Sequence, residues 1–152
     1  MAKEQGELQL TDYGISGIPA FQVSRYASVA LHKGQKVKAV IDFLPQMETW
    51  EAEKMLRLRR RQMDYKTAEE WMTGLLNKKL GLVLLKLSGI SPQQNMAQVT
   101  ETQWAEMMKN LKEYETIITG TNPFENAQVC CGGVDVAEVT ASAMESRKVP
   151  GL

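Results

Sequence analysis

Hydrophobic and polar positions change their period twice along this chain. From Gly6 the run GELQLT alternates and predicts a short strand. DYGISGIP follows, turn chemistry built on Gly14 and Gly17. From Pro19 onward, Phe21, Val23, Tyr26, Ala27, Ala30 and Leu31 predict a helix, which Gly34 ends. KVKAVIDFL then alternates again around β-branched residues and predicts a second strand.

The stretch 45–112 changes to helical spacing throughout. Ala52, Met55, Leu56 and Met63 mark a first helix. Thr67 with Glu70 is a capping-box pair ahead of Trp71, Leu75 and Leu76. KKLGLVLLKLSG predicts another helix, stopped at Gly89, and Ser91 with Gln94 and Thr100 with Gln103 are two further cap pairs. The last helix has the cleanest stripe, Trp104, Met107, Met108 and Leu111 at i, i+3, i+4 and i+7. Strand signals return afterwards. YETIITG predicts a strand, TNPFEN a loop, AQVCC a short strand running into Gly132-Gly133, and MESRKVPGL one more short strand. Strand-rich ends around a helical block predict an α+β fold. A small β-sheet or β-barrel would form from 6–44 plus 113–152, with a helical lobe, 45–112, inserted in it.

A length of 152 residues suits one domain, able to bury a core without disulfides or metal. Lys+Arg and Asp+Glu are both 18, which argues against a general nucleic-acid or membrane-surface binder. The first ten residues hold no apolar signal-peptide core, and the longest apolar run, LGLVLL, is too short to span a bilayer. Two cysteines and one histidine do not make an ordinary zinc site. A cytoplasmic protein with reduced thiols is expected.

Candidate chemistry is sparse. Cys130 and Cys131, adjacent in a strand, would point to opposite faces, and the one imidazole, His32, is far away in sequence. Two small strand residues are the plain reading, and a reactive thiol is the sharper one. Gly132-Gly133, and equally Gly14, Ser16 and Gly17, would admit close backbone approach to a ligand or simply make turns. GISG lacks the G-x-G-x-x-G spacing of a dinucleotide fingerprint. RLRRR, Arg57 to Arg61, is read as a solvated helix face, with an anion or domain contact as the alternative. Asp42 is read as an exposed carboxylate at a strand end.

The two ends of the chain also carry a resemblance. AQVCCGGV, then AEVTASAMESRKVPGL, is similar to a segment of the HI0933-like, or BaiN-type, NAD(P)/FAD-dependent oxidoreductases, a family of bacterial flavoproteins. There a run like A-x-V-T-x-G-G-V precedes T-M-E-S-K and then G-L-Y-F-A-G-E. The matching residues here are Ala127, Val129, Cys130, Gly132, Gly133 and Val134, then Ala143 to Arg147, then Gly151 and Leu152. GELQLTDYGISGIP, from Gly6 to Pro19, resembles the family's G-E-L-x-F-T-H-x-G-I-S-G-P, and IDFLP, from Ile41 to Pro45, its I-D-hydrophobic-hydrophobic-P. Cys130 stands where a threonine is usual, Asp12 where a histidine is often found, and Ile18 falls between Gly17 and Pro19.

The resemblance implies the inserted, substrate-side domain of a larger flavoprotein. The Rossmann-like part, with its G-x-G-x-x-G, is not in this sequence. Its implied partners are the FAD-binding domain of its own parent chain and an unknown small-molecule substrate, with no nucleic acid, membrane or metal. FAD would belong to the parent, and this chain alone would hold none and be inactive. The flavin-facing border would be Gly14, Ser16, Gly17, Cys130, Gly132, Gly133 and Val134. Two other classes remain beside it: an independent binding module docking through the Arg57–Arg61 helix, and a thiol-dependent enzyme using Cys130 or Cys131.

Overall fold

A computed structural model describes residues 1–127 and 132–152. The elements are β1 (Gln9–Thr11), β2 (Gly14–Ser16), α1 (Ile18–His32), β3 (Val37–Ile41), α2 (Thr49–Gln62), α3 (Ala68–Met72), α4 (Lys78–Leu87), α5 (Glu101–Lys112) and β4 (Tyr114–Ile118). The fold is mixed, as the alternation of periods predicts. The strands form two antiparallel ribbons, β1 with β2 and β3 with β4, and the described residues close no barrel. The chain divides into two compact units, Lys36–Thr119 and Met1–Gln35 with Gly120–Leu152.

The unit Lys36–Thr119 contains the core. β3 and β4 pair over their whole length, from Val37 opposite Ile118 to Ile41 opposite Tyr114. Val37, Ala39 and Ile41 share the half-buried face with Tyr114, Thr116 and Ile118, while Lys38, Val40, Glu115 and Ile117 face water. The helices between the strands bury Ala52 and Leu56 of α2, Trp71 and Met72 of α3, Leu84 and Leu85 of α4, and Trp104, Met107 and Leu111 of α5. Trp71 and Trp104 meet edge to face, centroids 5.9 Å apart.

Local chemistry sets the helix boundaries. Thr67 with Glu70 and Thr100 with Gln103 each close a reciprocal capping box. Glu48 with Glu51 closes a third, ahead of α2. Asn77 accepts from the Lys79 amide to start α4. Gly81 of α4 lies against Met72; a Cβ there would sit 3.0 Å from Met72 Cγ. Ser91 with Gln94 makes a turn and not a helix start, because Pro92 and a fresh cap at Asn95 follow at once.

The unit formed by Met1–Gln35 and Gly120–Leu152 is different in kind. β1 and β2 make a hairpin, so GIS, expected as turn, is a strand paired with Gln9–Thr11. Those strands complete their own ribbon. They do not join β3 and β4 in the single sheet expected. α1 begins with Pro19 in its first turn, where a missing N–H costs nothing. The carboxy-terminal stretch, expected as a strand, is turn and bend, with one bridge between Val139 and Ser146. TNPFEN, expected as a loop, includes a short 3-10 turn at Phe124–Asn126. The expected AQVCC strand lies outside the described residues beyond Ala127.

Candidate functional site

The expected flavin-facing residues fall in the unit that holds both chain ends. Gly14 and Ser16 belong to β2, opposite Thr11 and Gln9. The Thr11 hydroxyl donates to the Gly14 carbonyl at 3.0 Å. Gly17 is the residue before α1. It takes φ +98°, and a Cβ there would come within 2.5 Å of the Glu7 carbonyl oxygen. The Gly17 carbonyl accepts from the Phe21 amide at 3.0 Å, which is the first bond of the helix. Gly17 is therefore required by the protein's own backbone.

Gly14, Gly132 and Gly133 are open in another way. All are exposed with positive φ, +144°, +130° and +126°, and among the described residues nothing lies within 4 Å of a Cβ built on any of them. No described residue covers their backbones, which suits close approach by a flat ligand. Val134 beside them is 76% exposed. No described hydrogen bond joins Gly14–Gly17 to Gly132–Val134. Cys130 and Cys131 lie outside the described residues. A groove of about 500 Å³ runs along Arg25, Tyr26 and Val29 of α1 and Lys33 just after it, and none of the expected glycines lines it.

The arginine run is not a free face. Arg59 donates to the carbonyls of Trp71, at 2.9 Å and 3.1 Å, and of Thr73, at 2.8 Å. Arg60 donates to the carbonyls of Met96 and Val99 and pairs with Glu101. Arg57 pairs with Glu53 one turn back and with Glu101, both at 3.0 Å. Arg57 and Arg60 lie over the Trp104 ring and Arg59 over Trp71. Three of the four guanidinium groups thus tie α2 to the ends of α3 and α5. The paired arginines hold the Glu101 carboxyl below its ordinary range, Arg57 by its hydrogen bond first. Arg61 alone of the four stays exposed without a described ion pair.

Lys112 is a site that the sequence reading missed. Its side chain is 6% exposed, and its ammonium donates to Asp42 Oδ2 at 2.7 Å, the Leu44 carbonyl at 2.9 Å and the Met47 carbonyl at 2.6 Å. All three ammonium protons are used. Asp42 is an exposed carboxylate, as expected, yet both its oxygens are engaged: beside the Lys112 ammonium on Oδ2, Oδ1 accepts from the Leu44 amide at 2.8 Å. The only signal was spacing, since Lys112 follows the buried Met108 by four residues on α5. Among the described residues no group of three or more His, Cys, Asp or Glu side chains could hold a metal ion. No described helix is long and apolar enough to cross a membrane.

The chain is 40% identical, over its full 152 residues, to a 3-dehydro-bile acid delta(4,6)-reductase of Clostridium scindens. It is 29% and 28% identical to the ribosomal RNA dihydrouridine synthases of Escherichia coli and Haemophilus influenzae, over 95% and 96% of its length. It spans 37% of the reductase and 34% of each synthase, about a third of the length of these relatives. A family model described as the HI0933-like protein barrel and H2TH domain matches residues 1–129. With most of its length inside that match, the chain belongs to the HI0933-like family.

Proposed function

We propose that this chain is the substrate-side, inserted domain of a flavin-dependent, NAD(P)H-linked reductase. The observation that carries the reading is the 40% identity across the whole chain to a reductase that is much longer than the chain. The names of the three relatives share one chemistry, addition of hydrogen across a carbon–carbon double bond of a ring. FAD, held mainly by another part of the larger protein, would supply the hydride chemistry when bound. The work of these residues is to cover the reacting ring, shape its cavity and keep water out.

Two features support that role. In the unit holding both chain ends, no large hydrophobic side chain is buried among the described residues, while Ile18, Tyr26, Phe124, Val136 and Met144 are exposed. A surface of that composition suits cover by another domain. Gly14, Gly132 and Gly133 present uncovered backbone in the same unit, which fits a border against a flat flavin ring. With Ser16, Gly17, Cys130 and Val134 they form the proposed flavin-facing border. No glycine-rich phosphate cradle occurs in the sequence, so the pyrophosphate would be held elsewhere.

The test is a segment exchange. This chain replaces the matching segment of the Clostridium scindens reductase, and the chimera is assayed for flavin content and for reduction of that enzyme's 3-dehydro-bile acid. A chimera that keeps both supports the reading. One that folds and binds FAD but reduces nothing refutes it. The isolated chain, mixed with FAD and gel-filtered, is expected to emerge colourless; one flavin retained per chain would overturn the division of labour proposed here.

A further inference from the structure

The arginine run fastens one side of α2, and the other side is bare. Trp50 is 65% exposed and Leu58 56%, and Lys54 and Arg61 are exposed on the same side. These four stand at i, i+4, i+8 and i+11. At 100° per residue they share an arc of about 80°, opposite the buried Ala52 and Leu56. The stripe rises about 17 Å, three turns of helix. Trp50 stands out in a unit whose other two tryptophans, Trp71 and Trp104, are buried.

The stripe is positive. No ion pair is described for Lys54 or Arg61. The two acids of α2 are engaged elsewhere: Glu51 accepts from the Glu48 amide at 3.0 Å, and Glu53 pairs with Arg57 at 3.0 Å. Asp64 is exposed in the turn beyond, so the positive stripe ends at Arg61. The face is also formed in advance. A capping box starts α2, and Arg59 and Arg60 hold it to the backbone of Trp71, Thr73, Met96 and Val99. A partner that docks here need not order the helix first.

Charge selects the occupant. A second copy docking through the same face would set Lys54 and Arg61 against their own kind. Two cations along about 17 Å release few counterions, too few for a nucleic-acid footprint. An acidic amphipathic helix satisfies both features. Its leucines at alternating three- and four-residue spacing would pack on Trp50 and Leu58, and its flanking glutamates would meet Lys54 and Arg61, one heptad apart. We propose that this face of α2 docks an acidic amphipathic helix carried by a separate partner protein. Neither a flavin nor the reductase role enters this assignment.

The experiment is acrylamide quenching of tryptophan fluorescence. Trp71 and Trp104 are buried, so the quencher reads Trp50. The probe is a designed helical peptide of about 20 residues, with leucines at that spacing and glutamates flanking them. A matched peptide with lysines for the glutamates is the control. The acidic peptide should shield Trp50 saturably, and the basic one should not. Lys54→Glu and Arg61→Glu should each weaken the acidic peptide about fivefold, and the double variant should prefer the basic peptide. That reversal cannot come from misfolding. No saturable shielding, or equal shielding by both peptides, would overturn the proposal. So would equal shielding by polyuridylate or by vesicles of equal parts phosphatidylcholine and phosphatidylserine. Trp50 already shielded in the chain alone would overturn it too. In the chimera of the segment exchange Trp50 should stay open to quencher; shielding there without peptide would assign the face to the larger protein itself and overturn a separate partner. Loss of the chimera's reductase activity would leave these readings unchanged.

Discussion

Lys112→Met isolates the physics of the buried ammonium. The substitution keeps most of the stem's volume and removes three charge-assisted hydrogen bonds. The acceptors do not lose equally. The Asp42 side chain is 37% exposed and stays hydrated, so its share is on the surface scale of at most about 1 kcal/mol. Met47 is 36% exposed, and a carbonyl that rehydrates costs little. The Leu44 carbonyl, on a half-buried residue, is left short of a donor at a cost of about 1–2 kcal/mol. Relief from burying the ammonium offsets a part, and the net loss comes to about 2 kcal/mol. With a urea slope of about 1.5 kcal/mol per molar, the midpoint falls by about 1 M. Fluorescence of the buried Trp71 and Trp104 reports the transition. Asp42→Asn keeps an oxygen acceptor and both carbonyl bonds, so its expected cost is about 1 kcal/mol. The exposed control, Lys109→Met, should cost less than about 0.5 kcal/mol. A Lys112→Met variant that unfolds with the Lys109 control would refute the reasoning; one matching Asp42→Asn would show that the carbonyl bonds carry nothing.

Arg60→Lys loses the planar fork that reaches Met96 and Val99 and should cost about 2 kcal/mol in urea, against less than about 0.5 for Arg61→Gln. Acid should destabilise the protein in a defined window. Glu70 is held below its ordinary value of 4.5 by the Thr67 backbone N–H and then its hydroxyl, and Glu101 by Arg57. A depressed carboxyl stabilises the fold above its unfolded-state value, and that stability is lost as pH falls through the folded value. The urea midpoint should thus be level down to about 4.5 and decline below it, and Glu101→Gln should flatten the decline. Gly17→Ala places a methyl carbon 2.5 Å from the Glu7 carbonyl at φ +98°. Amide exchange in β1, β2 and the start of α1 should quicken on the order of thirtyfold, equivalent to about 2 kcal/mol, with the amides of residues 36–119 unchanged.

Much of the fold was legible because it rests on neighbours in sequence. Thr67 with Glu70 and Thr100 with Gln103 start helices where the cap pattern places them, and the stripe from Trp104 to Leu111 is the buried face of α5. Each needs only residues within two turns. The same local logic misled at Ser91 with Gln94, where an identical bond closes a turn, since what decides between turn and helix is the residues that follow. It misled again at GIS, where a glycine suggested a turn and the partner strand five residues back made a strand. The glycines singled out in the sequence have different places in the structure: Gly17 answers to Glu7, while Gly14, Gly132 and Gly133 have no described neighbour within 4 Å of a Cβ.

The sequence by itself determined the period of each segment, the caps that bound the helices and the pairing of strand types around a helical block. These follow from side-chain spacing and from bonds a few residues long, which the chain makes wherever it goes. Only the tertiary structure decided the fate of the charges. Nothing in RLRRR says that two guanidinium groups, of Arg59 and Arg60, will turn onto carbonyls between 12 and 39 residues away. Nothing at Lys112 says that its ammonium will meet acceptors 65 to 70 residues away. The physical reason is one of reach. A long cationic side chain has no preferred local partner, so its place is set by whichever acceptors the folded backbone brings within about 3 Å and removes from water.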